Sequence, residues 1–396
     1  MIVEKKMAEL SPGHYVVDIV SQQGSYQLKS SGHIKNVNVI NHLTKRGVAS
    51  VLIDADKTLN VSHFLDNGDA VFEHIEQPDT NHATVILDIA KAKKVFTAAK
   101  NAQKMILMDA FHGKELNIEP VQDVTDAAID TIYKNPDALA CVLNIRKKDE
   151  YLLEHSASVS ILLSIFAKFL DIEKSIIQQL AIGAFLHDVG KIKIPDEILN
   201  KPSKLTDDEF VIMKTHANHS INIITNTAGI SDISIEVAAL HHEKLNGSGY
   251  PYQLKNDEIS LYGRMITICD IFDALTADRI YKKGYPHVKA FSILRQLAQK
   301  GELDVILVDQ FIRCMGVYPV GSLVELNSHK LAIVEQRSDD PVRPKVRSFY
   351  NLDYRHYIMA EDIDLSKKTD SIAKSVRADE FDLDMNKIVE FLMMQG

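Results

Sequence analysis

Short β-branched runs separated by Gly and Ser turns, such as His14-Tyr-Val-Val-Asp-Ile-Val20, open the chain and predict strands up to about Ile53. Within that stretch Val39 to Arg46 takes on helical spacing, is closed by Gly47, and is followed by a strand-like run from Val48 to Asp54. A small α+β module is expected. Residues 55–82 are polar with few apolar repeats and read as a loop or insertion. The period then lengthens. Val85, Ile86, Ile89, Val95, Ala98 and Ala99 recur at approximately helical intervals in Ala83 to Phe111, as do Val124, Ala128 and Ile132 in Val121 to Ile132. The mixed-charge run Arg146-Lys-Lys-Asp-Glu150 is the expected domain boundary. Helix follows helix from Tyr151 to about Met315, and Thr206 with Glu209 forms a capping box ahead of Phe210 and Met213. Val320 to Val334 returns to short strands, and a helix begins near Asp384. The fold class read from this pattern is mainly α. An all-helical central domain at 146–316 sits between an N-terminal α+β domain at 1–145 and a small strand-rich C-terminal segment at 317–396 that ends in a helix.

A chain of 396 residues needs more than one core, in keeping with this division. Hydrophobic residues at 45% and charged residues at 25% fit a globular protein and neither a disordered nor a fibrous class. The net charge of -9 argues against bulk nucleic acid or an anionic membrane as partner, so a phosphate ligand would need local cations or metal. Cys141, Cys269 and Cys314 form no CxxC pair, a usage that suits the reducing cytoplasm. Charge appears at the N-terminus before any signal-like apolar core, and the longest apolar run, Ile161 to Leu170, is broken by Lys168. Neither export nor membrane spanning is expected.

Chemistry concentrates in the central domain. A lone His-His or His-Asp pair is ordinarily a surface or capping feature. Here His241-His242 precedes a Gly-rich turn and lies downstream of His187-Asp188, with further candidates at inward-facing helical positions. Val159, Leu162, Leu163 and Phe166 follow His155 on one apolar stripe, so His155 faces the core. His216 shares a face with Ile212 and Met213. Asp270 sits in the nearly all-apolar Met265-Ile-Thr-Ile-Cys-Asp-Ile-Phe272, where an unpaired carboxylate is costly. His155, His187, Asp188, His216, His241, His242 and Asp270 make a nitrogen and oxygen set without thiolate, which favours iron, manganese or another borderline divalent ion over a cysteine zinc site. Seven ligands exceed the needs of one tetrahedral ion. With Asp188 bridging, His155, His187, Asp188 and Asp270 serve one ion, and Asp188, His216, His241 and His242 the other. Two such ions, separated by roughly 3.5–4 Å, polarise a phosphoryl oxygen and acidify a bound water.

His155, His187-Asp188-Val-Gly-Lys191, His216, His241-His242-Glu243, Gly249-Tyr250-Pro251 and Asp270, in that order, resemble the HD-GYP phosphodiesterase family over roughly Tyr151 to Met315. The resemblance implies hydrolysis of a cyclic dinucleotide, usually cyclic di-GMP, to a linear dinucleotide or mononucleotide in bacterial signalling. It implies that Lys191 stabilises transition-state charge and donates a proton, that Arg279 and Lys282 contact the substrate phosphates, and that Gly249, Tyr250 and Pro251 line the substrate site. Arg suits bidentate phosphate contact and Lys a point charge. Residues 1 to about 145 resemble, more weakly, the domain of unknown function that often precedes HD-GYP domains. That resemblance carries an expectation of regulation, of homodimer formation or of a signalling-protein partner.

Three departures stand out. Asn246 replaces an Asp common in the family, which keeps turn chemistry but removes a charge. Tyr151 stands where some members carry a Glu that helps hold a third metal, so two ions are expected. The arginine often found after the first histidine is absent from Ser156-Ala-Ser-Val159. The competing readings are a cyclic-dinucleotide receptor with weak or no catalysis, which Asn246 would mark, and a di-iron redox or oxygen sensor, since helical scaffolds also hold His and carboxylate sites of that kind.

Overall fold

The computed structural model describes residues 2–11, 14–22, 32–34, 37–55, 80–145, 151–278 and 283–393. Its packing resolves into two units, Met1–Asp79 and Thr80–Gly396.

In the first unit β1 (Ile2–Lys6), β2 (Tyr15–Gln22), β3 (Gly32–His33), α1 (Val37–Lys45) and β4 (Val48–Asp54) form the expected α+β module. The sheet is antiparallel with strand order β1-β4-β2-β3. Val48, Val51 and Ile53 of β4 join Val16, Ile34 and Leu43 in its core. Gly47, at φ 83°, makes the left-handed turn from α1 into β4 that the sequence pattern called for. Of the predicted loop at 55–82, residues 56–79 lie outside the described residues, and the helix that follows already begins at Thr80.

The second unit opens with α2 (Thr80–Phe111), α3 (Glu119–Lys134) and α4 (Pro136–Ile145), continues through α5 (Tyr151–Phe169) and α6 (Lys174–Leu186), and makes a 3-10 turn at Val189–Lys193. After it come α7 (Asp196–Leu199), α8 (Asp207–Thr225), α9 (Asp232–Leu240), α10 (Leu261–Thr276), α11 (His287–Gln299) and α12 (Val305–Met315). The packing does not divide near residue 145. Phe96 and Ile106 of α2, Ile129 of α3 and Leu139 of α4 share one core with Leu163, Phe166, Leu180 and Phe311. The apolar stripes of α2–α4 are thus buried against the central helices, while the charged run at 146–150 lies outside the described residues.

The strand-rich C-terminal segment is larger than its pattern announced. β5 (Leu323–Leu326), β6 (Lys330–Gln336), β7 (Lys345–Asn351), β8 (His356–Asp364) and β9 (Ile372–Val376) form an antiparallel sheet in the order β8-β7-β6-β5-β9. β7 and β8 mix charged and apolar positions too evenly for a clear sequence signal. Val324, Leu331, Val346 and Phe349 pack with Cys141 of α4 and with Ile388, Val389 and Leu392 of the terminal α13 (Met385–Met393).

Close helix contacts bring the site elements together. A Cβ on Gly183 of α6 would lie 2.5 Å from the Ser234 carbonyl oxygen of α9. One on Gly190 would lie 2.2 Å from the His216 carbonyl oxygen and 2.3 Å from the Ser220 amide of α8, and the Gly190 amide donates to Ser220 Oγ at 2.8 Å. Gly190 therefore serves close approach, whereas α6 has already ended at Leu186. Thr206 and Glu209 form the predicted capping box at the start of α8.

Candidate metal centre

The seven predicted ligands come from five helices and converge. His155 projects from α5, His187 and Asp188 follow the end of α6, His216 lies on α8, His241 and His242 follow α9, and Asp270 lies on α10. All are buried except His242, whose side chain is 25% exposed. Asp188 is the hub. Its Oδ2 lies 3.4 Å from His155 Nε2 and 3.3 Å from His187 Nε2, and its Oδ1 lies 3.4 Å from His216 Nε2 and 3.9 Å from His241 Nε2. Lys191, three residues on, pairs with Asp188 Oδ2. Asp270 spans both sides, 3.0 Å from His155 Nε2 and 3.5 Å from His242 Nδ1.

Backbone carbonyls fix the histidine tautomers. Nδ1 of His187 donates to Ala184 at 2.6 Å, that of His216 to Met213 at 2.7 Å, and that of His241 to Ala238 at 2.6 Å. Each Nε2 lone pair is thereby turned into the cavity, as metal ligation requires. His155 is held differently, with Nδ1 at 2.8 Å from Asp273 Oδ2. Asp273 is buried on α10 three residues after Asp270 and was missed in the sequence reading. Its i+3 spacing on an apolar helix was the available signal.

The buried His187 Nε2 and Asp188 Oδ1 have no hydrogen-bond partner. Leaving such groups unsatisfied is costly, and a cation would satisfy both. Among the described residues two triads place ligand atoms within 4.8 Å of one another, His155-His187-Asp188 and His216-His241-His242. The donor set fits a divalent ion.

Electrostatics separate the two sides. Burial opposes the charge on His155, but hydrogen bonds to Asp270 and Asp273 outweigh it and push its pKa up to about 9. Burial lowers His242 to about 3 against the opposing pull of Asp270. His241 is held well below its usual range, by burial and then by the charge of His242, and His216 is lowered chiefly by burial. Burial works against ionised Asp188 and Asp270. The charges of Lys191 and His187 nevertheless hold Asp188 well below the carboxylate range, and the hydrogen bond to His155 with the charge of His242 holds Asp270 below it.

The Gly249-Tyr250-Pro251 turn has a definite mechanical part. A Cβ on Gly249 would lie 2.5 Å from both Glu243 Cα and the Lys244 amide nitrogen, so only glycine fits there. The Tyr250 amide donates to the His242 carbonyl at 3.2 Å, its ring centroid lies 4.6 Å from that of His242, and its peptide bond to Pro251 is cis. Burial, then the charges of Asp270 and Asp188, keep the Tyr250 phenol protonated. Glu243, 1% exposed, accepts the amides of Tyr252, Gln253 and Leu254 at 2.7–3.1 Å and anchors the loop beneath the site. Asn246 accepts the Ser248 amide at 3.0 Å and its hydroxyl at 2.6 Å, the turn role predicted for it. The predicted phosphate contacts Arg279 and Lys282, and the side chain of Tyr151, lie outside the described residues.

A family model described as an HD domain matches residues 142–307, and one for a domain of unknown function (DUF3391) matches residues 3–121. The cyclic di-GMP phosphodiesterase PA4108 of Pseudomonas aeruginosa is 32% identical over 358 residues, covering 89% of this chain and 84% of that protein. A cyclic di-GMP phosphodiesterase of Vibrio cholerae is 40% identical over 33% of this chain and 27% of that protein. The 3'3'-cGAMP-specific phosphodiesterase 3 of the same organism is 34% identical over 46% of this chain and 39% of that protein. With an HD-domain match, a DUF3391 match before it, and a relative aligned over most of both lengths, the chain belongs to the HD-GYP family of phosphodiesterases.

Proposed function

We propose that this protein is a metal-dependent hydrolase that opens a cyclic dinucleotide in the bacterial cytoplasm and so lowers a second messenger. Cyclic di-GMP is its first substrate and the mixed guanine-adenine dinucleotide its second. The observation that carries this reading is the convergence of the seven ligand-type side chains, six of them buried, with His187 Nε2 and Asp188 Oδ1 lacking a hydrogen-bond partner. Two divalent ions, iron or manganese, would be held by His155, His187, Asp188 and Asp270 and by Asp188, His216, His241 and His242, with Asp188 shared. Bound there, such ions supply Lewis acidity toward a phosphoryl oxygen and acidify a water.

The chain's own groups bind and orient around that centre. Lys191, 19% exposed beside Asp188, offers an ammonium to a phosphate oxygen and a proton to the leaving alkoxide. Arg279 and Lys282 contact the phosphates, and Gly249, Tyr250 and Pro251 line the substrate site beside His242. The ranking of substrates follows the relative that spans most of the chain, which is named for cyclic di-GMP, whereas the cyclic GMP-AMP enzymes align over less than half of it. Residues of the first unit are assigned to association, with a second copy of the chain or a signalling protein as partner.

The test is anaerobic turnover of both dinucleotides by protein loaded separately with ferrous iron and manganese. Metal-dependent cleavage of cyclic di-GMP to the linear dinucleotide or onward to mononucleotide is expected. Binding without cleavage under either metal would instead establish a receptor.

A further inference from the structure

A row of rings leads out of the metal centre. The Tyr250 ring lies 4.6 Å from that of His242 and 6.2 Å from that of His216, and the Phe210 ring of α8 lies 6.4 Å from Tyr250 at an interplanar angle of 88°. Exposure rises along the row. His216 is buried, His242 and Tyr250 are half-buried, and Phe210 is 46% exposed. The row thus runs from the buried ligands to solvent, with Phe210 at its outer end. The start of α8 puts Phe210 there: Thr206 caps the helix, Asp207, Asp208 and Glu209 fill its first turn, and Phe210 is the first apolar residue after them. A residue at that position ordinarily packs as a staple over the one before the cap, here Leu205. Phe210 nevertheless keeps nearly half of its surface in water, which forgoes the stabilisation that burying a large ring provides. Lys214, one turn on, holds its ammonium over the ring, 5.3 Å from the centroid. The face it covers is therefore met by a charge on a flexible stem, which a planar base can displace.

We propose that Phe210 is a substrate-binding residue whose ring stacks on a nucleobase of the cyclic dinucleotide while a phosphate of the same molecule sits at the metal centre. The inference rests on the phosphodiesterase reading above. A base is joined to its phosphate through a ribose, so it comes to rest beside the ligand cluster and not within it. Its flat faces seek an aromatic surface there, and Phe210 offers one a single ring beyond His242 by way of Tyr250. Because every base has such a face, this contact favours nucleotides in general and does not separate guanine from adenine.

The experiment uses the full-length manganese-loaded protein and compares wild type with Phe210→Ala, Phe210→Leu and Phe210→Trp. Tyr354→Ala, at an exposed aromatic residue between β7 and β8, is the control. Kinetics are read for cyclic di-GMP and the mixed guanine-adenine dinucleotide, together with metal content. Phe210→Ala should keep its metal and raise KM on the order of tenfold for both dinucleotides, with kcat changed less than about threefold. Phe210→Leu, which retains an apolar staple over Leu205, should raise KM as well, and Phe210→Trp should restore it. Tyr354→Ala should leave KM alone. A wild-type KM in Phe210→Ala or Phe210→Leu, or an equal rise in Tyr354→Ala, would overturn the proposal. If the wild-type protein binds cyclic di-GMP without cleaving it, the phosphodiesterase reading falls on its own. The ring is then judged by equilibrium binding, and equal affinity in wild type and Phe210→Ala rejects it. Absence of binding rejects both.

Discussion

The two sides of the candidate metal centre are built from the same residue types yet sit in opposite electrostatic states. On the His155 side, Asp270 and Asp273 flank one imidazole and favour its protonated form. On the other, His216, His241 and His242 crowd together, with Nε2 atoms of His216 and His241 3.4 Å apart, and are held neutral. One side must shed a proton to accept a cation, whereas the other is ready at neutral pH. Asp188, placed between them and paired with Lys191, makes the two halves one unit.

The largest expected effect comes from removing that link. Asp188→Ala should weaken metal binding on both sides by at least about 10²-fold, beyond the 10–100-fold typical of losing a supporting residue, and abolish turnover. Elemental analysis with a cleavage assay decides it, and loss confined to one side would break the comparison.

Asp273→Asn comes next. It keeps a hydrogen bond to His155 but removes a carboxylate that raises its pKa. Roughly tenfold weaker metal affinity on that side alone is expected, measured by competition with a chelating dye.

Acidity should also separate the halves. Because His155 titrates near 9 in the metal-free protein, affinity on its side should rise with pH from about 6.5 to about 9, by up to roughly tenfold per unit for the one proton displaced. The imidazole-rich side should be nearly flat over that range. Stability follows the same group with opposite sign. A His whose folded pKa is raised contributes fully below about 6.5 and loses that contribution as pH climbs through about 9, so chelator-treated protein should show this term fading in melting curves. The smallest effect is Asn246→Asp, which keeps the Ser248 contacts and should change kcat/KM less than about threefold. A larger gain would show that the missing charge matters to the site.

Much of this centre was legible in the chain because ligand-type residues on apolar helices violate the burial rule unless something compensates them. His155, His216 and Asp270 announced themselves in that way, and the paired His187-Asp188 and His241-His242 by adjacency. Asp273 was harder to see, since its purpose is another side chain 118 residues away, His155. Glu243 was quoted within a motif, but its three backbone partners in the following loop appear only when that loop folds back. Gly190 likewise stands within a motif, and its task of letting α8 approach shows only in the fold. The α+β module, the helical centre and the start of the last helix were readable from periodicity. The grouping of α2–α4 with the later helices was not, because an apolar stripe shows that a face is buried and not what covers it.

The central claim is a two-ion centre joined by Asp188. Its most direct test is anaerobic titration of metal-free protein with manganese, followed by electron paramagnetic resonance. Two ions per chain with an exchange-coupled signal, replaced by uncoupled or absent ions in Asp188→Ala, is the predicted result. One isolated ion per chain, with Asp188→Ala unchanged, would contradict it.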